Sequence, residues 1–155
     1  MRETLFNWLQ MDIAGARCLD LFAGSGALGL EALSRGAARV VLVDESRVAA
    51  QQLESHLRTL QCDDGVVVNM SAQTFLQRGA GSARYDLVFL DPPFGKGLLA
   101  PCLRSLEEGG WLNPNALIYI EAESSLGALP LPRNWDLLKE KTAGQVCYRL
   151  ARRHR

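Results

Sequence analysis

The chain lacks a long apolar run, an excess of either charge and any paired cysteines, and each absence excludes a class of protein. No stretch approaches the roughly 20 apolar residues of a transmembrane helix. The opening Met1-Arg2-Glu3-Thr4 carries an early acid and is not followed by an apolar core and a cleavage site, so no secretory signal is read there. Cys18, Cys62, Cys102 and Cys147 are scattered, and His56 and His154 are the two histidines. That spacing suits neither a disulfide framework nor a zinc site, and points to reduced, structural thiols in a cytoplasmic protein with no bound metal. The 17 basic residues balance the 17 acidic ones. A surface that neutralises many phosphates usually carries a basic excess, so any nucleic-acid footprint must be local. The basic cluster Arg149, Arg152, Arg153 and Arg155 reads either as a solvated tail or as a phosphate contact. No repeat, low-complexity tract or linker divides the sequence, so a single domain over 1–155 is expected, as a monomer.

What is present is a regular alternation of apolar runs with amphipathic stretches. Leu5-Phe6 and Trp8-Leu9 suggest a short opening helix. Strands are predicted at Arg17 to Phe22, Arg39 to Val43, Val66 to Val68, Tyr85 to Leu90 and Leu117 to Ile120. Helices are predicted at Ala27 to Arg35, Ser46 to Leu60, Ala72 to Gln77 and Leu98 to Leu106. In the second of these Val48, Leu53, Leu57 and Leu60 are placed near one face. Trp135 to Lys139 and Val146 to Leu150 then read as two strands turning at Gly144. Five βα-type units followed by a strand pair imply a mostly parallel, seven-stranded sheet covered on both faces, with an antiparallel strand near the C-terminus. Ligands of such α/β sheets sit at the carboxyl ends of the strands, where strand order reverses.

Asp20-Leu21-Phe22-Ala23-Gly24-Ser25-Gly26-Ala27-Leu28-Gly29 lies between the first strand and its helix. Gly24, Gly26 and Gly29 match G-x-G-x-x-G, a weak pattern alone. Asp44, at the end of the next strand, stands near the spacing expected of a carboxylate that binds two ribose hydroxyls. A dinucleotide would bring a pyrophosphate to the helix N-terminus, whereas S-adenosylmethionine brings an ammonium and a sulfonium. Asp20 at the strand end would repel the first and suits the second. The acid-x-Phe-x-Gly-x-Gly pattern resembles motif I of class I methyltransferases, whose Rossmann-like fold and S-adenosylmethionine cofactor are therefore expected. A nicotinamide-dependent dehydrogenase remains as a minor alternative. Asp20, Phe22, Gly24, Gly26 and Asp44 are the candidate cofactor contacts, with Ser71-Ala72 at the adenine, where Ser71 also reads as a plain helix N-cap.

Asp91-Pro92-Pro93-Phe94 follows the fourth strand at the same rim. Consecutive prolines stiffen a turn and remove two backbone donors. The Asp91 carboxylate and the Pro92 carbonyl then form two acceptors for the two N–H groups of an exocyclic amine. Holding both directs the nitrogen lone pair at an adjacent methyl donor, with alignment as the main source of rate. Phe94 is placed to stack on an unstacked base. Asp91, Pro92, Pro93 and Phe94 are the candidate catalytic residues, and Asp91 also borders the cofactor.

Taken together, Arg2 to Leu9, Leu19 to Gly36, Phe89 to Phe94 and Ala116 to Glu121 resemble the RsmD-type bacterial methyltransferases over nearly the whole chain. The resemblance implies methylation of N2 of guanine 966 in 16S ribosomal RNA, within the small subunit or an assembly intermediate. It implies Asp20, Gly24, Gly26 and Asp44 at the cofactor, with Asp91, Pro92 and Phe94 at the base. Members carry some tens of residues before Arg2-Glu3-Thr4, including a basic hairpin that looks RNA-contacting, and this sequence starts after them. The alternatives are an amino-group methyltransferase acting on DNA adenine or protein glutamine, or a non-catalytic RNA-binding or assembly module of the same fold. The glutamine enzymes prefer Asn where Asp91 stands. Arg2, Glu3 and Lys96 read equally as groove contacts or solvated surface. Trp8, Trp111 and Trp135 read as packing and Tyr148 as core. Glu121 and Glu123 are weak candidates to shape the pocket.

Overall fold

The structure, a computed structural model, describes residues 2–154, without the side chain of Arg2. Its elements are α1 (Arg2–Trp8), β1 (Arg17–Asp20), α2 (Ala27–Ser34), β2 (Arg39–Asp44), α3 (Arg47–Thr59), β3 (Gly65–Asn69), α4 (Ala72–Gln77), β4 (Tyr85–Leu90), α5 (Leu99–Glu108), β5 (Leu112–Glu123), β6 (Trp135–Ala143) and β7 (Val146–Arg153). Among the described residues, no helix is long and apolar enough to cross a membrane. The strands form one sheet in the order β3-β2-β1-β4-β5-β7-β6, and β7 runs antiparallel to both its neighbours. The expected α/β class and seven-stranded sheet are thus observed.

Apolar residues on both faces explain why β1, β2 and β4 are continuous hydrophobic runs. Leu19, Val41, Val88, Ile118 and Ile120 pack beneath α4 and α5. Cys18, Val40, Leu42, Leu87, Phe89 and Tyr119 pack beneath α1, α2 and α3. The cysteines are free, and burial pushes the thiols of Cys18 and Cys102 up to about 12 and about 11, so both behave as inert packing groups.

Several boundaries differ from expectation for local reasons. The first strand stops at Asp20, because the turn that carries the glycines begins at Leu21. The fifth extends to Leu112–Glu123, although Pro114 and Asn115 interrupt it; Asn115 takes φ 67°, and the register jumps from Tyr85↔Leu112 to Leu87↔Leu117. Val48 and Leu60 are 63% and 64% exposed, against the expected shared face. Val48 projects away from the buried Ala50, Leu53 and Leu57, and Leu60 lies beyond the last turn of α3. Tyr148 is partly buried rather than core.

The C-terminal arginines are not a free tail, because β7 carries them into the sheet. Arg149 is buried and its Nε donates to Glu140 at 2.7 Å, while Arg153 pairs with Glu107 at 2.8 Å. Arg152 lies 3.6 Å from Asp12, and Arg155 is outside the described residues, as is the side chain of Arg2. Trp111 and Trp135 are buried, and the Trp135 indole donates to the same Glu107.

Gly29 sets how closely α2 can lie on the sheet. A Cβ there would stand 2.4 Å from Leu42 Cδ2 and 3.1 Å from Asp20 Oδ2. Gly29→Ala should improve helix propensity by about 1 kcal/mol, yet overpacking this fully buried contact costs about 1–3 kcal/mol. A net loss of stability is expected in urea unfolding; an unchanged or raised midpoint would refute this packing role.

Candidate active site

Strand order reverses between β1 and β4, since β2 and β3 lie on one side and β5 on the other. The crevice expected there is a cavity of about 520 Å³ lined by Leu21, Phe22, Gly24, Asp44, Glu45, Ser71, Ala72, Asp91, Pro92, Pro93 and Phe94. Its size suits a nucleoside-sized ligand. Residues from four strand ends, far apart in sequence, thus meet in one place.

Asp44 organises the cofactor side. Its Oδ2 accepts the Gly24 N–H at 2.8 Å, and its Oδ1 accepts the Ser46 N–H at 2.8 Å. The carboxylate is thereby fixed between the glycine loop and the start of α3, with lone pairs left over on each oxygen. The Asn69 amide donates to the carbonyls of Asp44 and Glu45 at 3.0 and 3.1 Å, which holds this turn against the end of β3. Gly24 has φ 55°, and a Cβ on it would meet no atom within 4 Å. Any side chain there would project into open space beside the cavity.

Gly26 and Asp20 serve differently from Gly24. Gly26 does not line the cavity, and at φ 84° a Cβ on it would stand 2.4 Å from Leu53 Cδ2. It lets α2 begin close against α3. Asp20 is 1% exposed and also lies behind the cavity wall; its Oδ2 accepts the Gly29 N–H at 3.1 Å, while its Oδ1 is buried with no partner among the described residues. Burial, with the charges of Asp91 and Asp44 adding to it, raises its pKa to about 7.

At α4 the Ser71 hydroxyl accepts the Thr74 N–H at 3.1 Å, the N-cap expected of it. Ala72 opens this helix at the cavity wall, where first-turn N–H groups have no intrahelical partner.

The Asp91 carboxylate is open to the cavity, yet the protein around its inner side raises its pKa. Pro92 is buried, Pro93 is exposed, and Phe94 is held out at 45% exposure. The loop turns at Gly95, with φ 75°, whose N–H donates to Glu123 Oε2 at 2.7 Å. That bond ties the loop to the end of β5 and gives Glu123 a supporting place. Lys96 is exposed beyond it.

The residues fit S-adenosylmethionine on these observations. The orphaned Asp20 oxygen and the acids Asp44, Glu45 and Asp91 suit a cationic ligand and oppose a pyrophosphate, and the open space at Gly24 leaves room for it.

Known proteins agree with this geometry. The family model described as "Conserved hypothetical protein 95" matches residues 1–152. Ribosomal RNA small subunit methyltransferase D of Escherichia coli (strain K12) is 52% identical over 154 residues, 99% of this chain and 76% of that protein. Its counterpart in Haemophilus influenzae is 48% identical over 152 residues, 97% of this chain and 78% of that protein. The chain belongs to the ribosomal RNA small subunit methyltransferase D family. The solved structure of yhhF from Escherichia coli, 51% identical, gives a TM-score of 0.95 and covers 99% of this chain and 86% of its own. The architecture is that of the S-adenosylmethionine-dependent methyltransferases, as the glycine loop implied.

The sequence did not flag Leu21 or Glu45 as cavity residues. Glu45 follows Asp44 directly, so its signal was adjacency. Glu121 was noted only weakly, although it lies one residue past the last β4–β5 pair, Leu90↔Ile120, where the charge of Asp91 acts on it.

Two outcomes check this site. Asp44→Ala removes an anchor shared by two backbone donors and should weaken S-adenosylmethionine binding by about ten- to a hundredfold in calorimetry. Unchanged affinity would sink the role of Asp44. For Asp20 the folded pKa lies above the unfolded one. Between about pH 4 and 7 the unfolded chain releases the proton while the folded protein keeps it, so stability falls as pH rises through that window. Asp20→Asn should therefore gain on the parent protein from about pH 4 to 7 and level off above it, in ligand-free urea unfolding. A pH-independent difference would contradict the assignment.

Proposed function

We propose that this protein transfers a methyl group to the exocyclic N2 of guanine 966 in 16S ribosomal RNA, in the small subunit or an assembly intermediate. The observation that carries the reading is Asp91-Pro92-Pro93-Phe94 at the end of β4, with its carboxylate on the cavity and its aromatic ring exposed. The relatives' names supply the small-subunit ribosomal RNA.

S-adenosylmethionine is the methyl donor: it supplies an electrophilic methyl on a sulfonium and would leave as the neutral thioether, its sulfur keeping the electron pair of the broken methyl–sulfur bond. Asp44 receives ribose hydroxyls through its free lone pairs, Gly24 and Phe22 border the donor, and Ala72 offers its N–H to the adenine. Asp20 attracts the methionyl ammonium from behind the wall, and with Gly26 and Gly29 it keeps the loop in shape.

On the substrate side, the Asp91 carboxylate and the Pro92 carbonyl accept the two N–H groups of the guanine amine. Their placement orients the nitrogen lone pair toward the methyl donor, so proximity and alignment lower the barrier. As the N–C bond forms, the nitrogen becomes cationic and loses a proton. Asp91 takes it, aided by its raised pKa, and releases it to solvent. Phe94 stacks on the extruded base, a contact worth about 1–3 kcal/mol. Pro93 holds the turn.

Asp91→Ala should lower kcat by about a hundredfold or more while S-adenosylmethionine affinity changes little. Near-normal turnover would overturn the loop's role. Labelled methyl transfer to unmodified small subunits, with the product base mapped, tests the substrate; transfer to duplex DNA or to protein glutamine instead would redirect the reading.

A further inference from the structure

Asp91 and Pro92 account for an amino group but not for the choice of guanine over other amino-bearing bases. We propose that Glu121 reads the N1–H of the target guanine and so sets base specificity, a role that rests on the proposed function above. The geometry comes from strand pairing. Phe89 pairs with Tyr119 and Leu90 with Ile120 in the parallel register of β4 and β5. One residue beyond this last pair, where β4 has ended, Asp91 comes next to Glu121, close enough for its charge to act on the Glu121 carboxyl. Side chains alternate along strands, so both carboxylates share the face of Phe89 and Tyr119. Those two rings meet edge to face beneath them at 6.4 Å. Tyr148 of β7 is the cross-strand partner of Glu121 and stands on the same face.

The cofactor cavity lies over β1, β2 and β3 and reaches Asp91 from that side. Glu121 lies on the other side of Asp91, over β5. A base that presents its amine to Asp91 from the side away from the cofactor brings its neighbouring ring nitrogen toward Glu121. Glu121 is half-buried at the end of the buried run Ala116–Ile120. Burial first, and the charge of Asp91 next, raise its pKa to about 7. No ion pair among the described residues includes Asp91 or Glu121.

Two adjacent carboxylates repel unless donors come between them. Guanine brings three on one edge, the N1–H and the two N2 hydrogens. Glu121 accepts the first, and Asp91 with Pro92 accepts the others. Adenine and cytosine present a ring-nitrogen acceptor beside their amine, and a carboxylate facing it is repelled. A matched pair of this kind is worth about ten- to a hundredfold in discrimination.

The test compares guanine with 2-aminopurine at the target position of 16S RNA reconstituted into small subunits. 2-Aminopurine keeps the N2 amine but has an acceptor at N1. The unsubstituted protein should favour guanine by about tenfold or more in kcat/KM. Glu121→Gln, whose amide can donate to that acceptor, should lose most of this preference, and Glu121→Ala should lose it too. Calorimetric binding of S-adenosylmethionine verifies that each variant is folded. An unchanged guanine to 2-aminopurine ratio in the folded variants, or equal use of both bases by the unsubstituted protein, overturns the inference alone. No transfer to guanine N2 by the unsubstituted protein overturns the proposed function, and this inference with it.

Discussion

One buried hydrogen bond governs the geometry of the cofactor half: the Gly29 N–H donating to Asp20 Oδ2 at 3.1 Å. It joins the end of β1 to the first turns of α2, and it forms only because Gly29 has no Cβ to hold the helix away from Leu42. With α2 seated, Gly26 can turn against Leu53 of α3, and Gly24 is left facing the cavity. The next strand meets this loop through Asp44, which accepts from both Gly24 and Ser46. Each acid therefore has a structural partner first. Charge toward a ligand is what remains after the backbone has been satisfied.

The three glycines of one motif thus do separate work. Gly24 clears space, Gly26 permits a crossing of two helices, and Gly29 permits contact between helix and sheet. The motif's spacing reveals none of this division, because it depends on Leu42 and Leu53, which lie in other elements. Sequence pattern was informative where local chemistry dominates: continuous apolar strands, Ser71 as a helix cap, and the stiff proline pair. It was least informative where pairing between distant strands decides. Asn115 and Pro114 look like a loop but sit within β5, which pairing with β4 on either side of them, at Leu112 and at Leu117, holds together. The terminal arginines look like a basic tail until β7 places Arg149 against Glu140 and Arg153 against Glu107. The position of Glu121 beside Asp91 likewise depends on register, a property of two strands rather than of either alone.

The distribution of charge follows from the same topology. Acids gather at the carboxyl ends of β1, β2, β4 and β5, while Arg149, Arg152 and Arg153 of β7 pair with Glu140, Asp12 and Glu107. A balanced total therefore conceals an uneven arrangement, with acids at the cavity and the cations of β7 engaged within the protein. Attraction to a cationic small molecule and attraction to a polyanion are thus separable properties of this fold.

The bond from the Gly95 N–H to Glu123 has a thermodynamic meaning. Together with Pro92 and Pro93, whose rings fix two φ angles, it anchors the loop at both ends to adjacent strands. The conformational entropy of arranging the two acceptors is lost during folding and is not lost again on each encounter with substrate. On the proposed reading, the protein meets its target on this side as a rigid template, and the ordering that binding still requires falls on the nucleic acid, which unstacks a base to reach it.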